Sequence, residues 1–248
     1  MKLSSLTAFF PCYNEEANVK RMVTAFEKVL PQLAKKYEII IINDGSSDKT
    51  GKIADRLSKQ NPKVRVIHHP TNKGYGASLR SGFQHAKYDW IFFTDGDMQF
   101  DIAQLADFIP HTKNYDVIIG YRKRRADGSV RALNARLFKL YIDLLFRLHV
   151  KDIDCAFKLL KTTVVQPLPL QSTGAFTSSE MLYRLKKQGY KFQQLAVDHF
   201  PRKFGTPTGN HPKVVVKAGI EAFHVYLHAK LEQLRGASYG APVKERTS

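Results

Sequence analysis

Trp90-Ile-Phe-Phe-Thr94, followed at once by Asp95-Gly-Asp97-Met-Gln99, decides how this chain is read. The apolar run is too short for a helix and has no polar alternation, as expected of a strand buried on both faces of a parallel sheet. Two earlier stretches have the same form. Leu6–Phe10 runs into Pro11-Cys-Tyr13-Asn-Glu15, and Glu38–Ile42 runs into Asn43-Asp44-Gly-Ser-Ser-Asp48. Helical spacing separates them: Val19, Val23, Phe26, Val29 and Leu33 recur on one face between Glu15 and about Lys36. Asp48 is placed to cap a helix over Lys49–Lys59, Val64–Ile67 reads as a strand, and Gly76–Lys87 as a helix. A helix near Ile102–Ile109 and a strand over Val117–Gly120 follow the acidic loop. This alternation predicts an α/β chain with a doubly wound, mostly parallel sheet and a site at the carboxyl ends of its strands. Beyond residue 121 the rhythm changes to amphipathic helices over Arg131–His149 and about Val214–Leu234. A flexible tail is expected over residues 236–248.

Charge divides the chain as well. It has 248 residues, with 39 Lys+Arg against 22 Asp+Glu, a net +17. Residues 1–120 hold 16 basic and 13 acidic side chains; residues 121–248 hold 23 and 9. A basic half beside a balanced one points to an anionic partner. With 43% hydrophobic and 25% charged residues the chain is not of disordered type, and two cysteines exclude a disulfide framework. No run approaches the ~18 apolar residues that cross a bilayer. Leu6–Phe10 is too short for a secretory signal core, so a cytoplasmic protein is expected.

In a parallel sheet the three acidic loops lie side by side, and carboxylates so crowded need a cation or hydrogen-bond donors. On an extended strand, residues two apart share a face, so Asp95, Asp97 and Gln99 would aim three oxygens at one point. Hard oxygens suit Mg²⁺ or Mn²⁺, with a substrate diphosphate completing the shell.

Together, Pro-Cys-Tyr-Asn-Glu, Asn-Asp-Gly-Ser-Ser-Asp, Asn72-Lys-Gly74 with Ala77, and Asp-Gly-Asp-Met-Gln resemble the nucleotide-sugar half of family-two glycosyltransferases of the GT-A fold. The resemblance covers residues 6–120 and implies roles. Pro11, Tyr13, Glu15 and Asp44 would hold the nucleoside, Asp95 would sit near the ribose and metal, and Asp97 would bind the metal bridging the diphosphate. Gln99 is similar to the further metal ligand of the dolichol-phosphate mannosyltransferase-like branch. Gly74 and Ala77 fit either a base pocket or a close helix–strand contact. In the second half, Gly120-Tyr-Arg122 resembles the family's Gly-Ser-Arg segment, and Arg131 and Arg136 follow at the spacing of residues that bind an acceptor phosphate. Asp152-Ile-Asp154-Cys-Ala-Phe157-Lys158 is similar to Asp-x-x-x-Gly-Phe-Arg, with Ala156 for Gly and Lys158 for Arg. Phe200-Pro-Arg202-Lys-Phe-Gly205 resembles the loop whose Arg closes over the diphosphate, although Thr206-Pro-Thr-Gly follows where relatives often have Ser-Lys.

These features predict one GT-A domain over residues 1–235, with a nucleotide-sugar half (1–120) and an acceptor half (121–235). The expected activity is an inverting, metal-dependent transfer from a nucleoside diphosphate sugar to a polyprenyl phosphate. An anionic phosphate acceptor needs cations to align it rather than a general base, and Arg122, Arg131 and Arg136 suit that. Arg131 and Arg136 also fit a solvated helix face, and Asp127, Asp152 and Asp154 leave a sugar-hydroxyl acceptor open. The only Trp is Trp90, so the Gln-x-x-Arg-Trp motif of processive synthases is absent. A nucleic-acid partner is not expected, because no zinc spacing, basic zipper or RNA-recognition signature is present. A nucleotidyltransferase would carry a Gly-rich basic loop after the first strand. Reaching a lipid acceptor requires the protein to sit on an anionic membrane surface or to be held there by a membrane-anchoring partner. Arg122–Arg125 and the helices over Arg131–His149 and Lys213–Arg235 supply charge and apolar surface for that. On the last helix Val214, Val215, Ala218, Phe223, Tyr226 and Leu227 are candidates either for lipid or for the protein's own core.

Overall fold

The computed structural model describes residues 1–123, 129–205 and 212–234. The nucleotide-sugar half alternates as expected: β1 (Leu3–Cys12), α1 (Val19–Leu33), β2 (Ala34–Asp44), α2 (Thr50–Gln60), β3 (Val64–His69), α3 (Tyr75–His85) and β4 (Trp90–Phe93). A 3-10 turn (Ile102–Gln104), the single turn α4 (Leu105–Phe108), a second 3-10 turn (Ile109–Lys113) and β5 (Val117–Arg122) come next. The rest comprises α5 (Ser129–Phe146), β6 (Lys158–Lys161), α6 (Thr162–Val165), α7 (Thr177–Lys187), β7 (Phe192–Val197) and α8 (Pro212–Leu234).

The seven strands form one sheet in the order β3-β2-β1-β4-β6-β5-β7. Only β6 runs against the others, pairing antiparallel with both β4 and β5. The apolar runs are unbroken because both faces are covered. Phe10, Ile39, Ile41 and Phe92 belong to the core beneath α1, α2 and α4. Their neighbours Phe9, Ile40, Ile42, Ile91 and Phe93 pack with residues of α3 and α5 to α8 on the other face. Such strands follow from burial on both sides of a parallel sheet.

Helix α1 ends at Leu33, earlier than its periodicity predicts, because Ala34 and Lys36 are taken into the sheet opposite Leu3 and Ser5. Asp48 does receive the Thr50 N–H at 2.9 Å, at the start of α2. On α8 the inward face is Ala218, Ala222, Val225 and Ala229, all buried, with Tyr226 packed against the same core. Ala218 and Tyr226 therefore do not face outward, whereas Phe223 and Leu227 do. The side chain of Val215, and residues 124–128, 206–211 and 235–248, lie outside the described residues; Asp127, Thr206-Pro-Thr-Gly and the expected tail fall among them.

Candidate active site

The parallel pairing of β1 with β2 and with β4 brings three strand ends together, with Cys12 opposite Asn43 and Phe9 opposite Phe93. The first two loops interlock. The Glu15 N–H donates to Thr50 Oγ1 at 2.8 Å, and the Glu16 N–H to Asp48 Oδ2 at 3.1 Å. Asn14, with φ 55°, accepts the Ser47 N–H at 2.9 Å. Tyr13 is left 41% exposed at the mouth, beside the half-buried Pro11. It offers an aromatic face on which a base could stack.

Asp44 is buried and its oxygens are engaged. It receives His69 Nδ1 at 2.6 Å and the backbone N–H groups of Lys73 and Gly74 at 2.9 Å each. In this arrangement Asp44 shapes the loop that leads into α3. Gly74 has φ 93°, and a Cβ there would stand 2.7 Å from the Thr173 carbonyl oxygen. Both the left-handed backbone and the contact require glycine. The close contact expected at this position is thus real, but its partner is the segment before α7 rather than a strand.

Asp95 and Asp97 leave β4 on a turn and not on an extended strand, with Met98 in the left-handed region at φ 62°. The expectation that residues 95, 97 and 99 share one face is corrected by that turn. The Gln99 N–H donates to Asp97 Oδ1 at 3.1 Å, and the Gln99 side-chain nitrogen donates to the Phe200 carbonyl at 2.8 Å. The Phe200 N–H returns a bond to the Gln99 carbonyl at 2.8 Å. Gln99 thereby holds the loop after β7 against the acidic turn.

That loop delivers Arg202. Its guanidinium pairs with Glu15 Oε1 and lies 3.5 Å from Asp97 Oδ2, while its Nε donates to the Phe204 carbonyl at 2.7 Å. Arg21 stacks over the Phe204 ring at 4.1 Å and fastens the same loop to α1. Glu15, Asp97 and Arg202, far apart in sequence, meet in one crevice. Burial pushes the Glu15 carboxyl up, Asn18 and Arg202 oppose the rise, and Asp97 adds to it.

Beneath them lies a second charged layer. The Asp95 carboxyl is pushed up to about 7 by withdrawal from water and by the charge of Asp97; a hydrogen bond with Tyr75 and the charges of Arg122 and Lys158 pull the other way. Lys158 is completely buried at the start of β6, its ammonium held by the carbonyls of Cys155 and Ile153 and by Ser178 Oγ at 3.0 Å. Burial lowers its pKa, with the neighbouring acidic groups opposing. Arg122 forms a two-pronged pair with Asp152, at 2.6 and 2.8 Å, and its side chain is only 8% exposed. Its guanidinium is thus engaged beneath the crevice. Arg131 and Arg136 lie in the first turns of α5, and their side chains are outside the described residues. Cys12 and Cys155 are buried free thiols, both pushed up by burial.

Sequence reasoning misses Tyr75, reads His68-His69 as a polar loop where His69 in fact ends β3 and bonds Asp44, and gives Lys158 no role. Tyr75 was within reach, since it follows Gly74 at the mouth of α3. The burial of Lys158 depends on β6, which no local pattern announces.

The Asp95 and Asp97 carboxylates are hard oxygen donors of a kind that suits a divalent cation completed by a substrate's own oxygens. Among the described residues no three His, Cys, Asp or Glu side chains form a metal-holding group. Asp97, with Asp95 behind it, presents hard oxygens already compensated by one cation, Arg202.

The family model described as glycosyl transferase family 2 matches residues 7–168. The chain is 28% identical over 209 residues to glycosyltransferase AglD of Haloferax volcanii, covering 79% of this chain and 33% of that protein. It is 30% identical over 175 residues to the putative glycosyltransferase CsbB of Bacillus subtilis, covering 70% and 53%. It is 26% identical over 166 residues to the undecaprenyl-phosphate 4-deoxy-4-formamido-L-arabinose transferase of Edwardsiella ictaluri, covering 66% and 51%. The chain therefore spans about a third to a half of the length of these relatives. Among solved structures, glucosyl-3-phosphoglycerate synthase of Mycobacterium tuberculosis with Mn²⁺, UDP-glucose and phosphoglyceric acid superposes with a TM-score of 0.67 at 14% identity, over 90% of this chain and 80% of that one. Mannosyl-3-phosphoglycerate synthase of Rubrobacter xylanophilus gives 0.67 at 15%, over 97% and 78%. At such identities the likeness is one of fold.

Proposed function

Because the chain belongs to glycosyl transferase family 2, we propose that it moves a hexose, with inversion, from a nucleoside diphosphate sugar of the GDP-mannose or UDP-glucose type to a polyprenyl phosphate at a membrane surface. The observation that carries the reading is the meeting of Arg202 with Glu15 and Asp97. A cation lodged between two carboxylates of an acidic crevice is what a diphosphate leaving group requires. The names of relatives support the acceptor: one is an undecaprenyl-phosphate sugar transferase.

In this mechanism the acceptor phosphate oxygen attacks the anomeric carbon as the bond to the diphosphate breaks. The attacking oxygen is already anionic, so no proton has to be removed from it. Arg202 exchanges the carboxylates for the departing diphosphate and stabilises charge as it grows there. Mg²⁺ or Mn²⁺, held by Asp97 with the donor diphosphate, would supply further positive charge at the leaving group. Tyr75 holds Asp95 by a hydrogen bond and the charges of Arg122 and Lys158 draw it toward ionisation, at a place where it would lie near the ribose. Gln99 acts on Arg202 by anchoring its loop. Neighbours of the same fold with UDP and Mn²⁺ or Mg²⁺ support the metal.

One observation favours a second reading, transfer to a sugar hydroxyl. Arg122 is turned to Asp152, which leaves one fewer cation to receive an acceptor phosphate. A single assay separates the two: UDP- and GDP-sugars are offered with detergent-dispersed polyprenyl phosphates or with soluble glycan acceptors, in Mg²⁺, Mn²⁺ or chelator. Metal-dependent release of nucleoside diphosphate together with labelled lipid supports the first reading. Label only in a soluble glycan overturns it.

A further inference from the structure

The outer face of α8 carries Val216, Ile220, Phe223, Leu227 and Leu231, each between 42% and 62% exposed. At 3.6 residues per turn they fall in one sector of about 80°, roughly opposite the buried Ala218, Ala222, Val225 and Ala229. The helix is therefore apolar on two faces, and the core accounts for only one. Beside it, α5 exposes Leu137, Leu140 and Leu144, the last at 78%. The two helices touch: the Tyr141 hydroxyl donates to the Gly219 carbonyl at 3.2 Å, and the Phe146 and Tyr226 rings meet at 6.0 Å.

Charge around this patch is one-sided. On α8, Lys217 and Lys230 are exposed, as are His224 and His228. Among the described side chains of the two helices the only carboxylates are Asp143 and Glu221, and both are turned inward. Asp143 receives Lys139 and the His149 N–H; Glu221 receives the N–H groups of Thr173 and Gly174 and stands 3.9 Å from the Lys217 ammonium.

We propose that this face of α5 and α8 is a docking surface for an anionic bilayer, with α8 lying in the plane of the interface. The proposal rests on the lipid-acceptor reading for its biological purpose, and on exposure and charge for its location. No described helix is long and apolar enough to cross a membrane. An apolar stripe flanked by lysines is suited to the headgroup boundary, where the side chains enter the acyl region and the ammonium groups meet lipid phosphates. A second copy is a poorer occupant. Two such faces in contact would set like charges together: Lys217 already stands beside Glu221, and no exposed carboxylate among the described side chains is left to receive Lys230.

The test is co-sedimentation of the whole chain with phosphatidylcholine vesicles, with and without phosphatidylglycerol, across a salt series. The wild type is expected to bind the anionic vesicles and to leave them as salt rises. Ile220→Glu/Leu227→Glu, at exposed positions, should cut the partition coefficient by more than about tenfold, since it both removes apolar anchors and adds like charge to the lipid. A second variant, Leu140→Glu/Leu144→Glu, repeats the test on α5. UDP or GDP binding should be unchanged in both, showing that the fold is intact. Wild-type retention by the vesicles that neither variant reduces would overturn the surface assignment, as would a wild type that forms a dimer through this face and ignores the vesicles. If the wild type transfers sugar to detergent-dispersed polyprenyl phosphate but does not bind vesicles, docking fails and the acceptor reading stands. If it binds through α8 but glycosylates only soluble acceptors, the reverse holds.

Discussion

Replacing Asp95 by Asn should make the empty protein more stable, by an amount that depends on pH. Raising a carboxyl from its ordinary 3.8 up to about 7 corresponds to about 4 kcal/mol of preference for the protonated form. The folded state binds this proton more tightly than the unfolded chain. The stability that Asp95 contributes is thus fully present below about pH 4, and is lost as pH rises through about 7. An amide of the same shape keeps an oxygen for the Tyr75 hydroxyl and never ionises. The pull of Lys158 and Arg122 is already contained in that rise, but the amide carries N–H groups that need acceptors of their own, so the net gain at pH 8 is expected to be smaller, about 2 kcal/mol. Urea unfolding in chelator from pH 4 to pH 8 measures this directly. The variant and the wild type should coincide near pH 4 and separate steadily to about pH 7, with the variant more stable. Parallel curves over the whole range would refute the charge balance argued for the lower layer of the site.

Arg202→Met should lower kcat by about a hundredfold or more, the usual cost of removing one preorganised group at a leaving-group charge; single-turnover kinetics with the donor and its acceptor would show it. Asp97→Ala should abolish metal-stimulated transfer, a loss of roughly a thousandfold or more, and full activity of this variant in chelator would disprove the metal assignment. Gln99→Ala should raise the donor KM by releasing the Phe200 loop, and a matched donor and metal titration would separate this from a weakened metal site. Gly74→Ala should cost about 2–3 kcal/mol in thermal unfolding, because it combines a left-handed backbone with a clash against the Thr173 carbonyl.

The sequence spoke most clearly where burial is two-sided. Leu6–Phe10, Glu38–Ile42 and Trp90–Phe93 are strands for the reason their composition suggests, and their ends converge because parallel pairing leaves no other place for them. Elements held by distant partners were silent. Lys158–Lys161 is two leucines between lysines, and becomes a strand only because β4 and β5 flank it. Helix α7 buries Ser178, Ser179, Glu180 and Arg184, so its polar sequence conceals a core helix held by the Glu180–Arg184 pair. In the site, Glu15, Asp95, Asp97 and Arg202 could be identified from their loops. The turn at Met98 that redirects Gln99, and the Arg122–Asp152 fork, depend on backbone geometry and strand register that side-chain types alone do not encode.

The place of β6 sets an order of assembly. During synthesis β3, β2, β1 and β4 can pair as soon as residue 93 has emerged, but the free edge of β4 then waits for residues 158–161. Until they arrive β5 has no link to that growing sheet, and β7 joins only through β5. A nascent chain halted before Lys158 exposes a row of unpaired amides on an apolar strand, a template for aggregation. The strand that closes this edge also carries the buried ammonium whose charge draws the Asp95 carboxyl toward ionisation. Completion of the backbone ladder and arrival of that charge are thus one event, and a fragment that stops short of it lacks both.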